Sequence, residues 1–213
     1  MDALRSGALV IACGALAHEI AALRRINAWD AMDIHCLPPE LHNDPQQIPA
    51  RVREVIHAAR DRYRKIFVAY GDCGTGGRLD AVLQAEGVER LPGAHCYEFF
   101  ATAQRFSELA EQELGTFYLT DFLVRHFERL VVQTLGIDRH PELIAEYFRN
   151  YRRVVYLVQD EAQSDVAQAA VIAQRLGLEF AVHLTGYGEL ETSLKQVAAR
   201  PADQRIEWAA WPR

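Results

Sequence analysis

Short apolar runs alternate with longer amphipathic stretches along the chain. The runs at residues 8–12, 32–37, 65–70, 154–158 and 178–182 have the length and composition of buried strands. Between them, apolar residues recur at helical spacing. Because consecutive parallel strands need crossover connections, this alternation predicts an α/β fold with a mostly parallel, Rossmann-like sheet.

The helical stretches also indicate how the chain is organised. Helical spacing is clearest at residues 15–26, 45–64, 78–86 and 166–176. Residues 101–150 carry few strand signals and many helical ones, which favours a helical insertion there. At roughly 150 residues per domain, the 213-residue chain fits one large domain or two small ones. We predict a single α/β domain over residues 1–213, with the insertion at about 101–150.

Charge and composition exclude several classes of protein. The formal net charge is −6 and there is no basic tract, so we expect no nucleic-acid binding. No apolar run approaches the ~20 residues of a membrane span, and no signal peptide is recognisable. We therefore expect no membrane partner and a cytoplasmic location.

Two of the four cysteines follow predicted strands, and a third lies in a short segment predicted to be extended. Cys13 follows the first strand, Cys73 lies in the glycine-rich loop after the third, and Cys96 lies in a segment predicted to be extended. Carboxyl ends of parallel strands meet at one edge of a sheet, where ligands bind. We therefore expect these three thiols at one edge.

A trio of thiolates with an open fourth position suits catalytic zinc, or an iron–sulfur cluster with one exchangeable iron. Zinc is the first choice, because the closely spaced cysteines typical of clusters are missing. The alternative is that Cys13, Cys73 and Cys96 are small buried hydrophobic residues. Cys36 lies inside an apolar strand, where we expect it in the core.

Two further side chains are candidates for a general base. His42 follows the second strand in a loop bracketed by prolines, where it could bind a metal or act as a base. Glu98 follows Cys96 and is the second candidate base. In an extended segment His95 and Cys96 would point in opposite directions, so we expect only one of them to face the site.

The glycine-rich loop runs from a strand into a helix. Backbone N–H groups of Gly74, Gly76 and Gly77 could therefore bind a phosphate or carboxylate at the helix N-terminus. The loop matches neither of the two common nucleotide-binding glycine motifs. A tight turn that requires glycine is the alternative.

Several short strings together resemble one family, the bacterial and archaeal domain of unknown function 1638. The strings are ACGAL at residues 12–16, LHN at 41–43, YGDCGTGG at 70–77, HCYEFF at 95–100, GTFYLTDF at 115–122, DRHPEL at 138–143 and TGYG at 185–188. The family pattern includes Cys13, Cys73, Cys96, His42 and His95. The family is often encoded beside corrinoid-dependent methyltransferases, so the resemblance implies a part in one-carbon metabolism.

Two hypotheses of function follow. The first is an enzyme in which a zinc–thiolate site acts on a small methyl or thiol compound in corrinoid-linked methyl transfer. The second is a non-catalytic accessory or metal-delivery protein that docks on the methyltransferase or the corrinoid protein. The chain lacks the Asp-x-His-x-x-Gly string that binds corrinoid cobalt, so we do not expect it to hold a corrinoid itself.

Overall fold

Two parallel β-sheets organise residues 5–199, the part of the chain that this computed structural model describes. Contacts divide these residues into two compact units, 5–99 with 189–199 and 100–188, each built around one sheet. The mixed α/β architecture with parallel sheets confirms the predicted fold class. The assignment of residues 1–213 to a single domain stays a prediction.

The strands and helices alternate along most of the chain. The strands are β1 (Arg5–Cys13), β2 (Met32–Leu37), β3 (Tyr63–Ala69), β4 (Glu89–Arg90), β5 (Thr116–Thr120), β6 (Arg153–Val158) and β7 (Glu179–Leu184). The α-helices are α1 (Ala17–Ile26), α2 (Ile48–Ala59), α3 (Arg78–Glu86), α4 (Cys96–Ala101), α5 (Ala103–Gln112), α6 (Asp121–Phe127), α7 (Leu143–Tyr147), α8 (Val166–Leu176) and α9 (Gly188–Ala199). Short 3₁₀ helices cover Gly14–Leu16, Pro39–Asn43 and Pro45–Gln47, and a π-helix covers Glu128–Gln133.

The sheet of the first unit has the strand order β2-β1-β3-β4, and all its pairs are parallel. The register sets Ala12 of β1 opposite Cys36 of β2 and Ala69 of β3. The strands therefore end at nearly the same level, and the loops that follow β1, β2 and β3 leave from one edge. β1 is central, and its Val10 and Ile11 are fully buried.

Burial explains the helices of the first unit. In α2, Ile48, Val52 and Ile56 recur at helical spacing and are fully buried, while the opposite face is exposed. The helix α3 ends at Gly87, whose φ of +65° gives the left-handed cap that glycine adopts without a side-chain clash.

The second unit is built around the parallel sheet β5-β6-β7. Its central strand β6 is buried from Val154 to Val158. The buried carboxylate of Asp121 accepts hydrogen bonds from the Tyr156 hydroxyl at 2.6 Å and from the backbone N–H groups of Gln159 and Asp160 at 3.1 and 2.9 Å. These bonds tie the end of β5 to the end of β6.

The elements agree with the sequence pattern at many positions and differ at a few. All five predicted strands are present, and α3 and α8 have the predicted bounds. The pattern predicted neither β4 nor β5. β5 is only five residues long and lies between helices, so its pattern does not stand out from the helical spacing around it; residues 101–150 hold no other strand.

Within residues 5–199 we find no helix both long enough and apolar enough to cross a lipid bilayer.

Gly14 allows the end of β1 to approach the end of β2. A Cβ atom at this position would lie 2.8 Å from Pro39 Cδ and 2.9 Å from the Leu37 carbonyl oxygen. We expect Gly14→Ala to lower the free energy of unfolding by about 1–3 kcal/mol, because the backbone must shift to relieve the overlap. Urea denaturation measures this. The control is His18→Ala at an exposed position of α1, and equal stability of the two variants would contradict the prediction.

Candidate functional site

Backbone hydrogen bonds join the loop after β3 to the segment before α4. The N–H of Asp72 donates to the Gly93 carbonyl at 3.0 Å, and the N–H of Cys73 donates to the Ala94 carbonyl at 2.8 Å. At Gly71 a Cβ atom would lie 3.1 Å from the backbone of His95, so a larger residue would push the two segments apart. This close approach brings the thiols of Cys73 and Cys96 together.

Cys73 has a backbone conformation that is rare for a residue with a side chain. Its φ is +49°. Asp72 stabilises the turn around it: the Asp72 carboxylate accepts hydrogen bonds from the Thr75 hydroxyl at 2.5 Å and from the N–H groups of Gly76 and Gly77 at 3.0 and 2.9 Å. A strained residue held by such a network is typical of functional sites.

The Cys73 and Cys96 sulfurs lie 3.7 Å apart and share a hydrogen bond. The hydrogen bond with Cys96 lowers the pKa of Cys73, burial raises it, and a hydrogen bond with His42 lowers it. The result is a pKa below the usual 9.0. The bond between the two thiols, together with burial, raises the pKa of Cys96. The two thiols therefore titrate as a pair, with the first thiolate on Cys73.

His42 lies beside this pair. It belongs to the 3₁₀ helix Pro39–Asn43, is exposed to solvent, and forms a hydrogen bond with Cys73 that raises the pKa of its imidazole. The structure thus places His42 and Cys73 at the same edge of the sheet, where the sequence pattern located both.

Cys13 ends β1 and is buried. Burial raises the pKa of its thiol to about 11, and the charge of Cys73 acts in the same direction. The hydroxyl of Tyr70, the residue after β3, is also buried, and burial followed by the charge of Cys13 raises its pKa. A hydrogen bond with Cys13 and the charges of Cys96 and Cys73 raise the pKa of Tyr70 further, so this hydroxyl lies near the three thiols.

In the segment that carries Cys96, two buried polar atoms have no hydrogen-bond partner among the described residues: Nδ1 of His95 and Oε2 of Glu98. The buried Tyr70 hydroxyl has no oxygen or nitrogen partner among those residues, and the Cys13 thiol beside it is a weak one. Burying a polar atom without a partner costs about 1–3 kcal/mol. Each such atom in a folded protein calls for an explanation, and a bound ligand or ordered water is a common one.

Glu98 turns back on its own segment. Its Oε1 accepts a hydrogen bond from the Ala94 N–H at 3.2 Å, and burial raises the pKa of its carboxyl. The charged groups that affect it are His95 and Glu189, and no cysteine is among them. Its role as a base stays a prediction.

Two local expectations are wrong. Residues 95–98 do not form an extended segment, because Cys96 begins α4 and His95 lies in the turn before it. The alternation of side chains in a strand therefore does not apply, and both residues affect the pKa of Cys73. Cys36 is exposed rather than buried in the core, because β2 is the edge strand of its sheet.

The N–H groups of Gly76 and Gly77 are occupied by the Asp72 carboxylate. Binding of an external anion by Gly74, Gly76 and Gly77 stays a prediction, and it would require Asp72 to leave this position. Gly74 packs against Pro45, since a Cβ atom there would lie 3.5 Å from Pro45 Cγ.

The family model described as "Protein of unknown function (DUF1638)" matches residues 36–194. The chain belongs to this family. No curated protein and no solved structure matches the chain.

The DUF1638 match includes His42, Cys73, Cys96 and Glu98, whereas Cys13 precedes it. Within residues 5–199, no group of three or more histidine, cysteine, aspartate or glutamate side chains is arranged to hold a metal ion. The Cys73–Cys96 pair is the part of the predicted trio that the structure brings within 4 Å.

The sequence pattern did not identify Asp72 or Tyr70 as residues of the candidate site. Asp72 could have been found from its spacing to Thr75 and Gly77, which is typical of an aspartate that accepts hydrogen bonds within its own turn. Tyr70 could have been noticed as a residue with a polar group at the end of an apolar run.

The Asp72 network predicts a pH-dependent contribution to stability. Burial opposes ionisation of Asp72, but the hydrogen bonds from Thr75, Gly77 and Gly76 outweigh it and lower the pKa below 3.8. A carboxyl group whose pKa is lower in the folded than in the unfolded state stabilises the protein at pH values above its unfolded pKa. This stabilisation is lost as the pH falls through the folded pKa. We expect Asp72→Asn to destabilise the protein at neutral pH, and the difference from wild type to shrink below about pH 4.

Denaturant unfolding at several pH values measures this difference. The control is Asp61→Asn, at an exposed aspartate, which should leave the pH dependence unchanged. If the free energy of unfolding had parallel pH profiles in the wild type and in Asp72→Asn, the role of the carboxylate would be refuted.

The thiol pair predicts a second pH dependence. In metal-free protein with Cys13→Ser and Cys36→Ser, alkylation by iodoacetamide should show a midpoint below the ordinary thiol pKa of 9.0. His42→Ala should raise this midpoint, because it removes a hydrogen bond and a charge that favour the Cys73 thiolate. His18→Ala is the matched control on α1. An unchanged midpoint in His42→Ala would show that His42 does not act on the pair.

Proposed function

We propose that the first unit contains a metal–thiolate centre, in which Cys13, Cys73 and Cys96 bind zinc. We further propose that the protein is an enzyme acting on a small methyl or thiol compound in corrinoid-linked one-carbon metabolism. An iron–sulfur cluster on the same three cysteines is the alternative occupant.

The observation that carries the proposal is the distance of 3.7 Å between the sulfurs of Cys73 and Cys96. Two thiolates on one tetrahedral zinc, with Zn–S bonds of about 2.3 Å, have their sulfurs about 3.8 Å apart. The pair therefore has the spacing of two zinc ligands without any rearrangement.

The third sulfur and a nitrogen come from the neighbouring strand ends. Cys13 ends β1 and lies near enough to Cys73 for the charge of Cys73 to raise its pKa, but its thiol would have to move to complete a metal site. His42 already contacts Cys73. It could supply the fourth ligand at rest, or remain free as a base beside an open position.

Bound zinc would hold a substrate thiol as the thiolate, which is the form that accepts a methyl group. Around it, this chain supplies the Tyr70 hydroxyl as a hydrogen-bond donor and His95 as a donor or acceptor. The unpartnered Nδ1 of His95 and the Tyr70 hydroxyl, whose partner is the weakly bonding Cys13 thiol, would be available to orient a substrate. Burial of Cys13 and Tyr70 limits the access of water to that position.

The substrate class and the partners rest on the family resemblance. Members encoded beside corrinoid methyltransferases would act on methyl groups that a corrinoid carries, so a corrinoid protein or its methyltransferase is the proposed partner. A non-catalytic accessory or metal-delivery protein would use the same three thiols and differ in lacking turnover.

Metal content tests the centre directly. We expect Cys13→Ser, Cys73→Ser and Cys96→Ser each to lower the zinc bound by anaerobically purified protein, because each removes one thiolate ligand. Cys36→Ser is the matched control, since this exposed cysteine is not among the proposed ligands. Elemental analysis with a visible spectrum separates colourless zinc protein from an iron–sulfur protein. Full metal content in all three variants would refute the proposal.

His42 and turnover separate the remaining alternatives. A ligand role predicts that His42→Ala retains less zinc, whereas a base role predicts full zinc and slower turnover. Turnover is measured with methylcobalamin as methyl donor and 2-mercaptoethanol as acceptor, following the corrinoid spectrum. Zinc-loaded protein that transfers no methyl group from this donor would favour the accessory function over the enzyme.

A further inference from the structure

We propose that Cys73 and Cys96 form a reversible disulfide by exchange with low-molecular-weight disulfides. The pair would make the protein a dithiol–disulfide couple in addition to any metal-dependent activity. The inference requires only the two thiols, and it stands whether or not the protein binds zinc.

The geometry of the two segments supports the bond. The sulfurs lie 3.7 Å apart and must approach to about 2.0 Å, a change within reach of side-chain rotation. The N–H of Cys73 already donates to the Ala94 carbonyl at 2.8 Å, so the segment holding Cys73 lies against the segment that leads into Cys96. The two backbones therefore need no large movement.

The four cysteines differ in access and in neighbours. Cys96 is half-buried, and Cys73 is buried with its sulfur at contact distance from that of Cys96. Cys13 is buried, and Cys36 is exposed on β2. Two thiols in contact are what thiol–disulfide exchange requires, since a mixed disulfide on one must be resolved by the other.

The exchange balances without metal or any other cofactor. The Cys73 sulfur, as thiolate, attacks one sulfur of the small disulfide; a mixed disulfide forms, and one small thiolate leaves. The Cys96 sulfur, once deprotonated, then attacks Cys73 Sγ, and the second small thiolate leaves as the Cys73–Cys96 bond forms. The two protein thiols give up two protons and two electrons, and the small disulfide becomes two thiols.

Zinc and the disulfide would compete for the same two sulfurs. A sulfur that has formed a disulfide no longer donates a thiolate to a metal, and a metal-bound thiolate is less free to attack. If the metal proposal holds as well, zinc-loaded protein should oxidise more slowly than metal-free protein. Equal rates would count against the metal proposal and leave the disulfide in place.

The test uses metal-free full-length protein carrying Cys13→Ser and Cys36→Ser, so that only the pair remains. The protein is equilibrated anaerobically with mixtures of reduced and oxidised glutathione, quenched with an alkylating reagent and analysed by intact mass and peptide mapping. We expect a peptide joined through Cys73 and Cys96, and its return to two alkylated thiols in excess reduced glutathione.

Two further variants make the result decisive. Adding Cys96→Ser should leave a persistent mixed disulfide between Cys73 and glutathione, because the resolving thiol is missing, whereas adding Cys73→Ser removes the attacking thiol and should leave Cys96 largely unmodified. Circular dichroism confirms that each variant is folded. Absence of the Cys73–Cys96 peptide in folded protein at the most oxidising mixture, or a crosslink only between molecules, would overturn the inference.

Discussion

The candidate site depends on one constraint, the parallel backbone pairing of the first sheet. This pairing sets the register of β1 with its neighbours and continues beyond the strands into the loops. Pairing of Ala12 with Cys36 and Ala69 sets the strand ends level. The bonds from Asp72 and Cys73 to Gly93 and Ala94 then continue the backbone pairing beyond β3 as far as Cys73. Thiols from segments more than twenty residues apart meet only because this backbone pairing continues into the loops.

Within that frame, electrostatics gives the similar thiols different properties. Cys13 is surrounded by apolar strand residues, and burial disfavours its thiolate. Cys73 is held in a turn stabilised by an internal carboxylate and contacts both His42 and Cys96, so its thiolate is favoured. The position of Asp72 illustrates a general point about glycine-rich loops: N–H groups that could bind a phosphate can also be satisfied by the chain's own carboxylate.

The sequence pattern was sufficient for β1, β2 and β3, because these runs are apolar and bounded by turn residues, whereas β4 is only two residues long and was not predicted. It also located Cys13, Cys73 and His42 at one edge, since that placement follows from parallel topology alone. It was insufficient where a few residues decide the conformation. β5 is short and flanked by helices, Cys96 begins a helix after a glycine turn, and Cys36 is exposed because β2 has only one neighbour, which only the strand order reveals.

The buried atoms without partners connect the fold to the proposed chemistry. His95 and Glu98 each leave one buried polar atom without a partner, at about 1–3 kcal/mol each, and the Tyr70 hydroxyl has the Cys13 thiol as a weak partner. The buried residues 8–13 of β1 and the buried face of α2 supply the apolar core that offsets this cost. A core chosen for stability alone would carry phenylalanine at position 70, because an apolar ring fills the same volume without a hydroxyl to satisfy. A buried hydroxyl whose partner is a thiol therefore favours a bound ligand as a stronger partner.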